Sequence, residues 1–457
     1  MTTPLRVAIV GAGPSGFFLA DKLSGQTDCP VAVDLFERLP VPYGLVRFGV
    51  APDHEKIKAV TRSFDKVAAR PNVRFFGNVE IGRDLSVEEL RQFYHAVAFT
   101  TGAQSDRRMG IPGEDLSGSH PATEFVAWYN GHPDYRNHVF DLSAERVAVV
   151  GVGNVAVDVA RILSRSIDEL ATTDIADHAL EALRHSRVKE VYLLGRRGPV
   201  QAAFTTPEVK ELGELQQADA IALPEEVALD PMSQAVLDRE NDAADKRKVA
   251  VLTDFAHRTP SGKPKRLTIR FLVSPTELVD DGTGKVRAIR LTRNRLVDRN
   301  GEVAAEPTST VEELPVGLVF RSVGYRGRPI DGLPFDDRRG VVPNDAGRVL
   351  AAPGGEVMTG LYVAGWIKRG PSGVIGTNKP DAAETADRII ADFGNDILID
   401  PPANAPELVA MTLATRNPDI VSWIDWQKIN DAETARGKAA GRPRAKLTSI
   451  AEMLGAR

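Results

Sequence analysis

The string Leu5-Arg-Val-Ala-Ile-Val10-Gly11-Ala-Gly13-Pro-Ser15-Gly16 constrains the fold of this chain more than any other segment. A mostly aliphatic run without polar alternation reads as a strand buried on both faces of a parallel sheet. Glycines follow at the spacing G-x-G-x-x-G. The first permits a tight turn, the second lets backbone approach a pyrophosphate, and the third lets helix and strand pack closely. A pyrophosphate set there meets unpaired N–H groups at the positive end of the helix. The pattern predicts a helix to about Leu23 and a second strand from Val31 to Phe36, ending at Glu37. An acid at that strand tip is placed to bond ribose hydroxyls. Gly11, Gly13, Gly16 and Glu37 are therefore read as a dinucleotide site.

A second unit of the same kind begins at Arg146. The strand Val147–Val150 meets Gly151-Val-Gly153-Asn154-Val155-Ala156, then a helix to about Ser164. After a long polar insertion, the strand Val191–Leu194 closes on Gly195-Arg196-Arg197-Gly198. Ala156 stands where a third glycine would, a substitution common in sites for NADP. A carboxylate at the strand tip would repel a 2′-phosphate, whereas two guanidiniums can grip it. The alternative for Arg196 and Arg197 is a solvated basic turn. The differing strand tips assign FAD to the first unit and NADPH to the second.

Late in the chain, Gly360–Gly365 reads as a strand running into a glycine turn. Gly370-Pro-Ser-Gly373-Val374-Ile375-Gly376 follows, then a helix from about Asp381 to Phe393. The segment looks like a second flavin fingerprint, except that Trp366 stands where many two-dinucleotide flavoproteins carry aspartate. The ring either borders the cofactor or is a structural aromatic. The helix after Lys379-Pro380 can aim its N-terminus at a flavin pyrimidine. Roughly 249–300 reads as a charged strand and loop. Beyond Pro401, two helical pieces are predicted, Pro406–Leu413 and Ser422–Asn430, before a basic strip with Arg442, Arg444 and Lys446. No internal repeat or low-complexity tract is evident.

The 457 residues call for two or three domains. A net charge of −5, from 57 basic and 62 acidic residues, argues against non-specific nucleic-acid binding. The single cysteine, Cys29, cannot form an intramolecular disulfide, hold an iron–sulfur cluster or act as a dithiol relay. No metal site is expected. No stretch approaches the roughly 18 apolar residues of a membrane span, and the first residues run straight into the glycine turn instead of a leader. A cytoplasmic protein with no membrane partner is expected.

Several long strings then resemble one family. They are Pro42-Tyr-Gly-Leu-Val-Arg-Phe-Gly-Val-Ala-Pro-Asp-His54, Gly195-Arg-Arg-Gly-Pro-Val-Gln-Ala-Ala-Phe-Thr206, Ser322-Val-Gly-Tyr325 and Gly365-Trp-Ile-Lys-Arg-Gly-Pro-Ser-Gly-Val-Ile-Gly-Thr-Asn378. They resemble the adrenodoxin reductase family of NADPH–ferredoxin reductases, its actinobacterial branch above all, over essentially the whole chain. Small variations fall at Tyr43 and Phe48. The resemblance implies an α/β fold with two Rossmann-like dinucleotide-binding domains. The FAD domain is discontinuous, 1–105 plus 325–457 with a C-terminal extension, and the NADP domain, 106–324, is inserted in it. It implies FAD contacts at Ser15, Glu37, Leu45, Ile81, Trp366, Gly373, Val374 and Ile375. NADP contacts are implied at Asn154, Val155, Arg196, Arg197 and Glu208. Arg107 is a further one, with the doubled Arg107-Arg108 leaving the position open. His54 and Glu211 match residues implicated in the family's active site. On its own, His54 suits a structural hydrogen bond as well as a catalytic role. Hydride transfer from nicotinamide to flavin needs no obligatory acid–base residue, so both are assigned to positioning and proton balance.

The expected activity is that of a ferredoxin–NADP(+) reductase. Hydride passes from NADPH to FAD, and single electrons pass to a small acidic iron–sulfur protein. Without a cysteine pair the flavin itself is the exit. The rivals are a diaphorase or reductase subunit serving another acceptor, and a dinucleotide-sensing protein that does not turn over. Ferredoxin docking would need a local basic face, for which Lys210, Lys368, Arg369, Arg442, Arg444 and Lys446 are the candidates, each of them equally a solvated surface charge.

Overall fold

Both glycine turns lie at the carboxyl end of a buried parallel strand. The computed structural model describes residues 4–27, 29–240, 242–403 and 405–457. The chain divides into two compact units. One comprises 1–105, 130–134 and 324–457, the other 106–129 and 135–323. Each is an α/β dinucleotide-binding fold of the Rossmann kind, with the second interrupting the first in sequence.

The first unit is built on a 7-stranded sheet. Its order is Asn344–Asp345, Arg348–Leu350, Val357–Val363, Ala96–Phe99, Leu5–Val10, Val31–Glu37, Val73–Gly77. The strands from Val357–Val363 onward pair in parallel, and the first two add an antiparallel edge. Leu5–Val10 is buried at every residue, as an aliphatic strand covered on both faces must be. Pro14–Ser24 packs on one face beside Asn378–Gly394, which starts three residues earlier than the sequence suggests. The predicted late helices run longer than expected, Pro406–Arg416 and Trp423–Ala439. Trp426 and Ile429 of the latter enter the same apolar cluster as Leu5, Val7 and Phe17.

The second unit is built on a 6-stranded parallel sheet. Its order is Ser119–Pro121, Leu318–Arg321, Arg146–Val150, Glu190–Leu194, Lys265–Arg270, Ala218–Ala222. The polar insertion after Ser164 holds two short helices, Ile167–Ala171 and Asp177–Arg184. The expectation of a charged strand and loop over 249–300 is corrected. That stretch begins inside a helix, Ala243–His257, and continues through Lys265–Arg270 into an antiparallel sheet of Val273–Asp280, Val286–Arg299 and Glu302–Pro315. Its charges stay bound across strands, as in Arg287–Glu313 at 2.8 Å and Arg295–Glu306 at 2.8 Å. Cross-strand pairs let a ribbon carry many charges without becoming a loop.

Candidate functional site

In the first unit, Gly11 has φ 108°, and a Cβ there would lie 2.9 Å from Thr100 O. A Cβ on Gly16 would lie 2.1 Å from Gly11 O. The chain's own packing therefore demands both glycines. Gly13 is different: its φ is −86°, and among the described residues a Cβ would meet only Gly44 Cα, at 3.8 Å. Among the described residues nothing forbids a side chain at the middle glycine, so its bareness suits close approach of a ligand. Glu37 ends its strand, as the pattern requires. Its carboxylate accepts from Ala12 N–H at 3.0 Å and Leu39 N–H at 3.1 Å, which ties the strand tip to the glycine turn. Burial pushes the Glu37 carboxyl up, and these two N–H groups pull it part of the way back.

The turn is closed by the segment carrying Leu45. Tyr43 N–H donates to Ala12 O at 2.8 Å, and Tyr43 and Gly44 both have positive φ, 86° and 48°. Leu45, on the Leu45–Phe48 helix, and Val374 are among the exposed large hydrophobics, at 42% and 51%. Ile81 is half-buried and bridges to Leu85. His54 is half-buried at the N-cap of Glu55–Lys58, its carbonyl accepting from Ile57 N–H at 3.1 Å.

The late fingerprint meets the first turn directly. A Cβ on Gly365 would lie 2.0 Å from Ser15 Oγ, and Ser15 Oγ bonds Asn378 Oδ1 at 3.1 Å. Trp366 is half-buried; its indole N–H donates to Ser372 O at 3.1 Å, and its ring lies 5.8 Å from that of Tyr325. The loop bearing Gly373, Val374 and Ile375 is braced by Arg369, which bonds the Ser372 carbonyl and Asn378 Oδ1. Sequence reasoning missed Asp381. It looked for an acid directly after Gly365 and found Trp366. The acid at this turn is Asp381, whose Oδ2 accepts the Gly365 N–H and whose Oδ1 pairs with Lys368 at 3.2 Å.

In the second unit, Gly151 has φ 129°, and a Cβ would lie 2.1 Å from Ser322 O. No atom among the described residues lies within 4 Å of a Cβ on Gly153, whose φ is −102°. Ala156 is wholly buried in the helix that starts at Asn154. Asn154 Oδ1 accepts from Thr205 N–H at 2.8 Å, and Val155 is half-buried beside it. Arg196 is exposed and Arg197 half-buried at the next strand tip. Among the described residues neither side chain forms an ion pair. Burial, then the neighbouring Arg196 charge, pushes the Arg197 guanidinium down. Glu302 offsets this only in part, and the remaining like-charge repulsion is what an incoming dianion relieves.

Glu208 and Glu211 lie on Thr206–Leu212. Both reach the wholly buried Arg161, at 3.3 Å and 3.7 Å, and Arg161 also bonds Asp158 at 2.7 Å. A buried charge needs such partners. Arg161 carried no sequence signal, because i, i+3 pairing with Asp158 on an amphipathic helix is ordinary. Both doubled arginines are exposed, and Arg108 pairs with Asp115 at 2.5 Å.

Three of the docking candidates are corrected. Lys368 has a side chain only 6% exposed and pairs with Glu384 at 2.6 Å. Lys446 is 4% exposed and donates to Arg47 O and Asn130 Oδ1, both at 3.3 Å. Arg444 pairs with the wholly buried Glu433 at 2.7 Å. Arg47 joins them, donating to both oxygens of Glu433 at 2.9 and 2.5 Å. Much of the strip read as surface charge is an internal network behind the Leu45 segment. Lys210, its side chain 68% exposed, stays at the surface.

No family model matches the chain. It is 48% identical to the NADPH-ferredoxin reductase FprA of Mycobacterium tuberculosis, over 99% of this chain and 98% of that one. It is 42% identical to the mitochondrial NADPH:adrenodoxin oxidoreductase of Salvelinus fontinalis, over 98% and 90%. Its fold superposes on the structure of Mycobacterium tuberculosis FprA in complex with NADPH with a TM-score of 0.92, covering 99% of both chains at 48% identity.

Proposed function

The chain belongs to the NADPH–ferredoxin reductases of the adrenodoxin reductase type, and we propose that it divides their reaction between its two units, FAD in the acid-tipped first and NADPH in the arginine-tipped second. The protein is an oxidoreductase that passes electrons from NADPH through FAD to a ferredoxin-type iron–sulfur protein. When bound, FAD converts a two-electron hydride donor into one-electron output. The residues of the chain bind and aim the nucleotides.

The contrast between the two strand tips carries the assignment. Gly11, Gly13 and Gly16 present backbone to the FAD pyrophosphate, and Glu37 takes the ribose hydroxyls. Ser15, Leu45, Ile81, Gly365, Trp366, Gly373, Val374 and Ile375 complete the flavin site. Gly151, Gly153, Asn154, Val155 and Ala156 receive the NADPH pyrophosphate. Arg196 and Arg197 take the 2′-phosphate, with Arg107 and Glu208 as further contacts. His54 and Glu211 serve positioning and proton balance. The protein works in the cytoplasm; among the described residues no helix is long and apolar enough to cross a membrane, which is compatible with that location.

The test is reduction of the co-purified flavin. NADPH should bleach it, ferricyanide should restore it, and NADPH-dependent cytochrome c reduction should require added ferredoxin. A colourless preparation that FAD cannot reconstitute, or a flavin that NADPH does not bleach, would sink the reading.

A further inference from the structure

The turn that carries Arg196 and Arg197 is held from behind by a segment distant in sequence. That segment takes three of its carbonyls. Gly195 O accepts from Val273 N–H at 3.1 Å, Arg197 O from Leu272 N–H at 3.2 Å, and Arg196 O from Asn294 Nδ2 at 2.8 Å. Asn294 lies on the Val286–Arg299 strand and is only 7% exposed. Its side-chain amide also donates to Ser274 Oγ at 2.8 Å, and its backbone N–H donates to Leu272 O at 2.7 Å.

Two further features show that this link is built. Leu272 has φ 57°, a left-handed backbone that a leucine keeps only when its surroundings over-determine it. Here its N–H is taken by the arginine turn and its C=O by Asn294. Asn294 also sits where the hairpin leaves regular pairing, since Thr292 faces Val311 but Asn294 faces Pro307, which brings no N–H to the ladder. Below the turn the backbone is pinned separately. The wholly buried Glu226 accepts from Arg270 Nε at 3.0 Å and Phe271 N–H at 2.8 Å, and pairs with Arg293 at 3.1 Å. The base is therefore fixed by charge. Among the described residues, the peptide between the two arginines is fixed by one side-chain amide.

We propose that Asn294 is a positioning residue for nucleotide choice: it locks the peptide joining Arg196 to Arg197, and with it the spread of the two guanidiniums that grip a 2′-phosphate. This rests on reading Arg196 and Arg197 as the 2′-phosphate site. Like charges side by side repel, and a dianion is gripped well only by donors held at a set spacing.

The test uses the FAD-loaded enzyme with ferricyanide as acceptor, and compares Asn294→Ala and the volume-keeping Asn294→Leu with the double variant Arg196→Ala/Arg197→Ala. In both Asn294 variants the KM for NADPH and the inhibition constant of 2′,5′-ADP should rise about tenfold, with kcat unchanged and the KM for NADH within about twofold. The ratio of the two nucleotides is read on one preparation, so it does not depend on how much of a variant folds. Equal losses with NADPH and NADH, or no loss, while the double variant loses its preference, overturn the role of Asn294 and leave the arginine reading standing. An unchanged preference in the double variant overturns both.

Discussion

The two glycine turns are alike down to single hydrogen bonds. In the first, Gly11 N–H donates to Phe36 O at 2.8 Å and Thr100 N–H to Val10 O at 2.8 Å. In the second, Gly151 N–H donates to Leu194 O at 2.9 Å and Ser322 N–H to Val150 O at 2.8 Å. They part at the third small residue, at the strand tip and in their support. Gly16 cannot carry a Cβ, whereas Ala156 does. One tip is a carboxylate held by two N–H groups; the other is a pair of guanidiniums. The first turn leans on residues more than 360 positions away in sequence, through Ser15–Asn378 and Arg47–Glu433. The second leans on its own hairpin through Asn294. On the proposed assignment, the shared bonds belong to the pyrophosphate cradle, which any dinucleotide needs. On the same assignment, the differences fall where the two nucleotides differ.

The difference in support can be broken most forcefully at Glu433. Glu433→Gln leaves Arg47 and Arg444 short of their buried partner, a loss of about 3–5 kcal/mol. The expected outcome is a lower melting temperature and faster release of FAD, with the NADPH-to-NADH preference of the surviving holoenzyme unchanged. Flavin retention equal to wild type would show that the network does not support the first turn.

At the third position, Gly16→Ala drives a Cβ into Gly11 O and should cost about 3 kcal/mol or more, with flavin lost on purification. The mirror change, Ala156→Gly, only loosens a helix, by about 1 kcal/mol, and keeps the flavin. Similar melting temperatures for the two variants would erase this distinction between the turns.

At the strand tips, Arg196→Ala/Arg197→Ala should raise the KM for NADPH at least about tenfold and leave NADH nearly unchanged. The flavin spectrum should not move, because Glu37 belongs to the other unit.

The effect that vanishes at the acid end concerns Asp106, where the second unit starts. Burial pushes its carboxyl up from 3.8 to about 7, with Thr123 Oγ1 as its hydrogen-bond donor. A carboxyl raised in the native state favours folding while protonated, so its contribution is full below pH 3.8 and is lost as pH rises to about 7. Asp106→Asn removes that slope. Its melting temperature should match wild type at the acid end and exceed it increasingly as pH rises towards about 7. A difference that does not change with pH would show that Asp106 stays ionised in the folded protein.

What could be read in the sequence was what lies close together in it. The glycine turns, Glu37 and Arg196–Arg197 are each fixed by the strand before or after them, so spacing alone locates them. Lys368, Arg444 and Lys446 were misread as surface charge because their partners, Glu384, Glu433 and Asn130, leave no trace in local composition. Asp381 was used only as a helix start because its bond to Gly365 N–H skips the loop between. Asn294 had no signal at all: one asparagine in a charged strand says nothing until the carbonyl it holds is known.

The interleaving of the units has a consequence for synthesis. A ribosome finishes residues 106–323 before the Val357–Val363 strand, the Asn378–Gly394 helix and the Trp423–Ala439 helix exist. At about 5–20 residues per second, the nascent Leu5–Val10 strand waits on the order of tens of seconds for the partners that bury it. Meanwhile the interrupting unit has all its own strands and can close. The unit begun first is thus completed last, and its exposed aliphatic sheet is the segment a chaperone would meet.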